Sequence, residues 1–209
     1  MYEVEIKYPV ASHGPLEAGL AALAARWHPL VVQTDRYFAH PCRDFAVTDE
    51  ALRLRQDGDR AVITWKGPRI DATTKTRREI ELPLLDAGPH GSAPAGTDPS
   101  PRTMSGVAGG TTLPGWTALL EALGFRPVAT VTKRRRHAAV DWQGRSVTVV
   151  LDSVEGVGDY VELELQAAEE DVPAARSCLE SLAHALGCGA AERRSYLELL
   201  LAARSGHSG

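Results

Sequence analysis

The first residues of the chain alternate strictly between apolar and charged side chains. Glu3, Glu5 and Lys7 are separated by single apolar residues in the stretch 2–8. Successive side chains of a strand point to opposite faces, so these three charges would share one face at spacings of about 7 Å. Two carboxylates this close repel each other unless a divalent cation such as Mg²⁺ or Mn²⁺ lies between them. The alternative is an edge strand with a solvated charged face, which antiparallel sheets often have.

The same alternation recurs in six other segments, near residues 52–55, 63–66, 77–82, 133–135, 147–152 and 160–165. A solvated face does not require matching patterns on so many strands. The pattern therefore predicts an α+β fold, a closed antiparallel β-barrel with a charged interior, covered outside by four helices with apolar stripes. Seven cations and seven acids would face inward: Lys7, Arg53, Arg55, Lys66, Arg77, Lys133, Arg135, and Glu3, Glu5, Glu79, Glu81, Asp152, Glu162, Glu164.

Burying so many ionised groups is costly unless they pair with one another, with metal ions and with a bound polyanion. The predicted ligand is therefore compact and highly negative. A triphosphate fits this demand, because guanidinium forks and ammonium groups can surround a short chain of phosphates from several sides. Two divalent ions on the acids would roughly neutralise its charge.

The remaining sequence supplies helices, turns and one segment of different character. Helices are predicted over 14–27, 116–123, 172–186 and 191–204. The last three alternating segments belong to strands predicted over 130–140, 146–152 and 160–166. The segment 87–112 contains six Gly and four Pro, so it is expected to be a flexible linker or insertion within a single domain spanning 1–204. Residues 205–209 are predicted to form a disordered tail.

Composition excludes several classes of function. The net charge of −4 argues against a general nucleic-acid binder, despite the basic run 133–136. No apolar stretch approaches the roughly 20 residues that span a bilayer, so no membrane association is expected. The 3 cysteines show no metal-binding or disulfide spacing, which favours a cytoplasmic location.

Eight short motifs occur in order along nearly the whole chain outside the 87–112 segment. They are Glu-Val-Glu-Ile-Lys at 3–7, Leu-Arg-Leu-Arg at 52–55, Thr-Trp-Lys-Gly-Pro at 64–68, Arg-Arg-Glu-Ile-Glu at 77–81, Thr-Lys-Arg-Arg at 132–135, Leu-Asp at 151–152, Gly-Asp-Tyr-Val-Glu-Leu-Glu at 158–164 and Arg-Ser-Tyr at 194–196. This set resembles the CYTH superfamily, the triphosphate tunnel metalloenzymes, which includes class IV adenylyl cyclases and thiamine triphosphatases. The motifs near 158–164 and 194–196 are more similar to the class IV cyclase branch.

The resemblance implies roles for the motif residues. One or two Mg²⁺ or Mn²⁺ ions would be held by Glu3, Glu5, Asp152, Glu162 and Glu164. Phosphate oxygens would be bound by Arg53, Arg55, Lys66, Arg77, Lys133, Arg135 and Arg194, although Arg77 and Arg194, with the tunnel acids Glu79 and Glu81, could instead form structural ion pairs. Glu3, Glu5 and Lys7 would be catalytic, while Lys7 could alternatively bind a phosphate or simply neutralise Glu5.

The resemblance implies an enzyme but leaves its reaction open. The first expectation is a class IV adenylyl cyclase-type enzyme that converts ATP to 3′,5′-cyclic AMP and pyrophosphate. A second is a triphosphatase that hydrolyses nucleoside, thiamine or inorganic triphosphate. A third is a non-catalytic module that binds polyphosphate or a nucleotide, against which the many acids argue. The resemblance also makes a homodimer reasonable.

Overall fold

The computed structural model describes residues 2–58, 60–69, 77–84 and 113–206. Its strands are β1 (Tyr2–Val10), β2 (Arg26–Ala39), β3 (Ala51–Asp57), β4 (Arg60–Arg69), β5 (Arg77–Leu84), β6 (Arg126–Trp142), β7 (Arg145–Val154) and β8 (Gly158–Ala167). Its helices are α1 (Gly14–Ala22), α2 (Phe45–Thr48), α3 (Leu113–Ala122), α4 (Val172–Ala185) and α5 (Tyr196–Gly206). The 87–112 segment, predicted as a linker, lies outside the described residues.

All eight strands form one antiparallel sheet in the order β1-β8-β7-β6-β2-β3-β4-β5. Both edge strands, β1 and β5, contribute side chains to one central cavity, so the sheet curls until its edges face each other. This confirms the predicted α+β fold with a charged barrel interior. Among the described pairings, no hydrogen-bonded ladder joins β1 to β5.

The apolar face of the sheet lies outside, under the helices. Val4 and Leu163 on the sheet are fully buried, as are Leu179 and Leu182 of α4, and all four belong to one hydrophobic cluster. Because β1 and β8 alternate, the residues between those apolar positions point to the opposite face and into the cavity. Burial of the apolar face therefore sets the register that turns the charges inward.

Several predicted boundaries are confirmed, and the turns explain them. Gln143 and Gly144, both with positive φ, join β6 to β7 as a two-residue turn. Gly124 and Gly187, also with positive φ, follow α3 and α4, which end within one residue of the predicted positions 123 and 186.

Other boundaries were wrong. The helix predicted to reach Trp27 ends at Ala22, because Ala24 takes a positive φ of 53° and turns the chain into β2. The last helix begins at Tyr196 rather than near 191, and it extends to Gly206, into the predicted disordered tail. Among the described residues, no helix is long and apolar enough to cross a membrane.

Candidate functional site

One cavity of about 880 Å³ occupies the interior of the curled sheet. Its walls come from β1, β2, β3, β4, β5, β6 and β8, with α2 and the start of α5 at its margin. Twelve of the predicted site residues line it: Glu3, Glu5, Lys7, Arg53, Arg55, Lys66, Glu79, Glu81, Lys133, Arg135, Glu162 and Glu164. The alternation of charged and apolar residues along the strands therefore predicts most of the charged lining.

Asp35 organises the guanidinium groups on one wall and was missed by the sequence analysis. It lies on β2 directly opposite Arg55 of β3 and is 2% exposed. Arg55 donates to both of its oxygens, at 2.6 and 2.8 Å, and Arg53 Nη1 lies 3.5 Å away. Burial alone would raise the pKa of Asp35, but the two guanidiniums hold it well below its usual range. The carboxylate thus stays ionised and holds both arginines at the cavity wall.

Arg53 retains one donor that the described residues do not satisfy. Its Nε is buried and has no hydrogen-bond partner there. A buried N–H without an acceptor is costly, so this group has unused capacity for an anionic ligand.

Arg135 is held on the adjoining wall by two acids. Its Nε donates to Asp152 Oδ1 at 2.7 Å, and its Nη2 donates to Asp152 Oδ2 and Glu162 Oε2, each at 2.5 Å. Asp152 also accepts from the Tyr196 hydroxyl at 2.9 Å, is fully buried and does not line the cavity. The predicted metal ligand Asp152 is therefore enclosed behind Arg135 and acts as its counter-ion.

The ammonium groups of Lys133 and Lys7 both lie close to the Tyr196 ring. Their Nζ atoms are 5.3 and 4.1 Å from the ring centroid, and both side chains are almost fully buried. Burial, followed by repulsion from Arg135, lowers the pKa of Lys133 to about 7. Lys133 is therefore a cation that a bound anion would stabilise in its charged form.

Lys7, which lines the cavity, also contacts the backbone of the segment that precedes α5. Its Nζ donates to the Arg194 carbonyl at 2.5 Å, and its own carbonyl accepts from the Glu192 amide. The Arg194 side chain is 55% exposed and pairs with Glu192 at 2.6 Å. The Arg194 side chain is not among the residues that line the cavity, and its pairing with Glu192 matches the alternative prediction of a structural ion pair.

Four glutamates converge where β1 pairs with β8. Glu5 lies directly opposite Glu164, and Lys7 lies opposite Glu162, while Glu3 shares their face. Burial, then repulsion from Glu162 and Glu5, raises the pKa of Glu164 to about 8, and burial followed by Glu5 raises that of Glu3. Glu3 and Glu164 also border a second cavity of about 340 Å³. Such mutual repulsion is what a bound divalent cation would relieve.

This acidic group is not assembled as a finished metal site. In the described part of the chain, no three His, Cys, Asp or Glu side chains are arranged to hold an ion as they stand. Glu162 is engaged by Arg135 at 2.5 Å.

On the part of the cavity wall formed by β4 and β5, polar side chains of β4 pair with glutamates of β5. Lys66 Nζ lies 2.5 Å from Glu79 Oε1, and Thr64 donates to Glu81 at 2.9 Å. Burial, followed by repulsion from Arg53, lowers the pKa of Lys66. These contacts fit the predicted structural role of Glu79 and Glu81. The Arg77 side chain lies outside the described part of the structure.

Comparisons with known proteins agree with this geometry. The model of the CYTH domain family matches residues 1–196. The chain is 30% identical over 164 residues to a Methanocaldococcus jannaschii protein whose name proposes an adenylate cyclase, covering 78% of this chain and 77% of that one. It is 28% identical over 208 residues to adenylate cyclase CyaB of Aeromonas hydrophila, covering 95% and 88% respectively.

Solved structures show the same fold. The PH1819 protein of Pyrococcus horikoshii superposes with a TM-score of 0.73 at 32% identity, covering 96% of this chain and 99% of that one. An adenylyl cyclase-like protein from Hippeastrum, described as having a dominant triphosphatase activity, superposes with a TM-score of 0.60 at 17% identity, covering 99% and 96%.

Proposed function

Because the chain belongs to the CYTH domain family, we propose that it is a metal-dependent enzyme of the class IV adenylyl cyclase type, which converts ATP to 3′,5′-cyclic AMP and pyrophosphate. The observation that carries this proposal is the placement of cations and acids on the walls of one cavity. Two relatives named as cyclases support the choice of reaction.

The cation wall suits a chain of phosphates. Arg53 and Arg55 on β3 and Lys133 and Arg135 on β6 flank β2 from both sides. Guanidinium groups pair with phosphate oxygens through forked hydrogen bonds, and the unsatisfied Nε of Arg53 supplies one donor. A bound triphosphate would also raise the pKa of Lys133, which burial and then repulsion from Arg135 now lower.

The acidic wall suits a hard divalent cation. Glu3, Glu5, Glu162 and Glu164 would hold Mg²⁺ or Mn²⁺, since carboxylate oxygens are the ligands these ions prefer. When bound, the ion would neutralise charge on the phosphate oxygens. Asp152 is not in this set, because it does not line the cavity and its two oxygens accept from Arg135 and Tyr196.

In the cyclase reaction, the ribose 3′-oxygen forms a bond to the α-phosphorus, and the bond from that phosphorus to the leaving bridging oxygen breaks. Pyrophosphate leaves, and the hydroxyl proton passes to water. We assign to Arg53, Arg55 and Arg135 the chain's contribution, which is to orient the phosphates in line and to stabilise the charge that builds on the leaving group.

A triphosphatase is the second candidate, and the Hippeastrum neighbour favours it. Water would then attack the terminal phosphorus, and the bond from that phosphorus to its bridging oxygen would break. The diphosphate would be the leaving group, and the attacked phosphorus would be released as orthophosphate, with the proton of the water passing to solvent. The same cations and acids would serve both reactions, so the reactions differ in which phosphorus meets the nucleophile.

Product analysis decides between them. The protein is incubated with ATP, GTP, thiamine triphosphate or inorganic tripolyphosphate in Mg²⁺ or Mn²⁺, and the products are separated by chromatography. Cyclic AMP with pyrophosphate supports the cyclase, while orthophosphate supports the hydrolase. Glu3→Gln/Glu5→Gln should lose turnover, whereas the exposed Glu121→Gln serves as the matched control. Absence of both products with every metal would refute catalysis.

A further inference from the structure

Tyr196, at the start of α5, is an uncharged residue fixed among the charges of the cavity. Its side chain lines the cavity, is 7% exposed, and packs edge-on against the Tyr160 ring with centroids 5.3 Å apart. A reciprocal cap fixes the first turn of the helix, because the Ser195 amide donates to Glu198 Oε2 and the Glu198 amide donates to Ser195 Oγ. The ring and its hydroxyl are therefore held in one position at the cavity wall.

The Tyr196 hydroxyl and Arg135 together saturate one oxygen of Asp152. That oxygen, Oδ2, accepts from the hydroxyl at 2.9 Å and from Arg135 Nη2 at 2.5 Å. A carboxylate oxygen offers about two lone pairs, so these two donors leave no acceptor position on it. Burial, followed by repulsion from Glu162 and Asp152, raises the pKa of Tyr196, so the hydroxyl stays protonated and remains a donor.

Lys133 is the cation that this arrangement keeps apart from Asp152. Its Nζ lies 3.9 Å from the same oxygen, Oδ2, which is beyond hydrogen-bond reach, although both side chains are almost fully buried. A buried ammonium and carboxylate this close would ordinarily approach to about 2.8 Å, because a charge-assisted hydrogen bond is strong in a low dielectric. The incomplete pair agrees with the pKa of Lys133, which burial and then repulsion from Arg135 lower to about 7.

The two ammonium groups beside the Tyr196 ring differ in how firmly they are held. Lys7 Nζ donates to the Arg194 carbonyl at 2.5 Å, so the backbone fixes its position. Lys133 also lines the cavity, and its ion pair among the described residues is the open 3.9 Å contact with Asp152. Lys133 can therefore turn to an anion in the cavity without first breaking a close ion pair.

We propose that Tyr196 is a positioning residue that keeps Lys133 available for a phosphate group. Its hydroxyl occupies the acceptor position on Asp152 Oδ2 that the ammonium would otherwise take. With that position vacant, a movement of about 1 Å would bring Lys133 Nζ into a close ion pair, and a phosphate would have to break this pair in order to bind. This inference rests on the proposed function and deepens it, because it explains how one phosphate-binding cation is kept free of its neighbouring acid.

Calorimetric titration of ATP and tripolyphosphate in Mg²⁺ tests this role through a double-mutant cycle. Tyr196→Phe keeps the packing of the ring and removes the hydroxyl, so it should weaken binding at least about fivefold, because the ligand must then break a charged hydrogen bond. In the background of Lys133→Met, the same change should alter affinity by less than about twofold, because no ammonium remains to approach Asp152. Tyr160→Phe is the matched control and should bind within about twofold of the wild type, since this ring contacts Tyr196 but does not line the cavity.

A crystal structure of Tyr196→Phe supplies a second readout that does not depend on affinity. The distance between Lys133 Nζ and Asp152 Oδ2 should shorten from 3.9 Å to about 3 Å. An unchanged separation would overturn the inference.

The outcomes separate this inference from the proposed function. Equal weakening by Tyr196→Phe with Lys133 present and with Lys133 replaced would show that Tyr196 does not act through this lysine. That result, or a loss smaller than fivefold in the single variant, would overturn the inference while leaving triphosphate binding intact. Failure of the wild-type protein to bind either ligand would overturn the proposed function and the inference together.

Discussion

Replacing Asp35 by Asn should destabilise the protein strongly, because one buried carboxylate balances two arginines. Asp35 is 2% exposed, and the side chains of Arg53 and Arg55 are 11% and 14% exposed. Removing one partner of a buried ion pair costs about 3–5 kcal/mol, since the remaining charge is left uncompensated. Asn keeps one acceptor for Arg55, so we expect a loss near the lower end of that range, about 3 kcal/mol. For a chain of 209 residues, that corresponds to a fall in Tm of about 6–12 °C.

Urea denaturation at pH 7 measures this loss as a fall in midpoint at constant slope. Tripolyphosphate should restore part of the stability, because its negative charge substitutes for the missing carboxylate. Adding Arg55→Gln to Asp35→Asn should cost less than the sum of the two single changes, since the pair is then removed together. A loss of unfolding free energy below about 1 kcal/mol in Asp35→Asn would refute the interpretation of Asp35 as the counter-ion of Arg53 and Arg55. Strict additivity of the two losses in the double variant would refute it as well.

Three further results are expected. Burial and Arg135 lower the pKa of Lys133 to about 7 in the folded protein, from its ordinary value of 10.5. Between these two pH values the unfolded chain therefore binds a proton at Lys133 that the folded protein does not. The free energy of unfolding of the wild type, compared with that of Lys133→Met, should therefore rise across this window by up to about 1.4 kcal/mol per pH unit. Denaturation series that give the two proteins the same slope against pH would contradict this. Arg194→Ala should keep KM within twofold in steady-state assays, because the Arg194 side chain is outside the cavity. Arg53→Ala should raise KM at least tenfold, because Arg53 lines the cavity. Equal effects of the two changes would contradict the assignment of Arg53 to the phosphate site and of Arg194 to the outside. Removal of divalent ions with a chelator should abolish product formation, and added Mg²⁺ or Mn²⁺ should restore it. Turnover that persists in the presence of the chelator would exclude the proposed role of the glutamates as ligands of the ion.

The charged alternation predicted the interior well because it is a local property of each strand. Glu5 and Glu164 were assigned to one face from sequence, and the β1–β8 register places them directly opposite each other. Burial of Val4 and Leu163 on the other face makes that orientation the only one compatible with the core.

What the sequence missed depends on contacts between distant segments. Strand β2 was not predicted, because its first residues include Pro29 and the uninterrupted apolar run 30–32. The pattern Gln33, Asp35, Tyr37 does alternate toward the cavity face and could have revealed the strand. The pairing of Asp35 with Arg55 could not be foreseen, since it depends on β2 lying between β3 and β6.

Two predicted roles changed for a related reason. Alternation placed Asp152 on the charged side, but it could not show that Arg135 and Tyr196 would enclose it. The motif at 194–196 pointed to the Arg194 side chain, whereas the structure brings its carbonyl to Lys7 and the neighbouring Tyr196 ring into the cavity. The order of the motifs identifies which segment lies at the site, whereas the backbone conformation determines which atoms of that segment contact it.

The most direct test of the account is calorimetric titration of ATP with and without Mg²⁺, for the wild-type protein and for Glu5→Gln/Glu164→Gln. These two carboxylates lie side by side on the paired strands β1 and β8. Replacing both by neutral amides therefore removes the site proposed for the cation. We predict Mg²⁺-dependent binding in the wild type, at least tenfold weaker in the double variant and unchanged in Glu121→Gln. Binding that is equally strong without Mg²⁺ and in the double variant would contradict the central claim that this cavity binds a triphosphate together with a divalent cation.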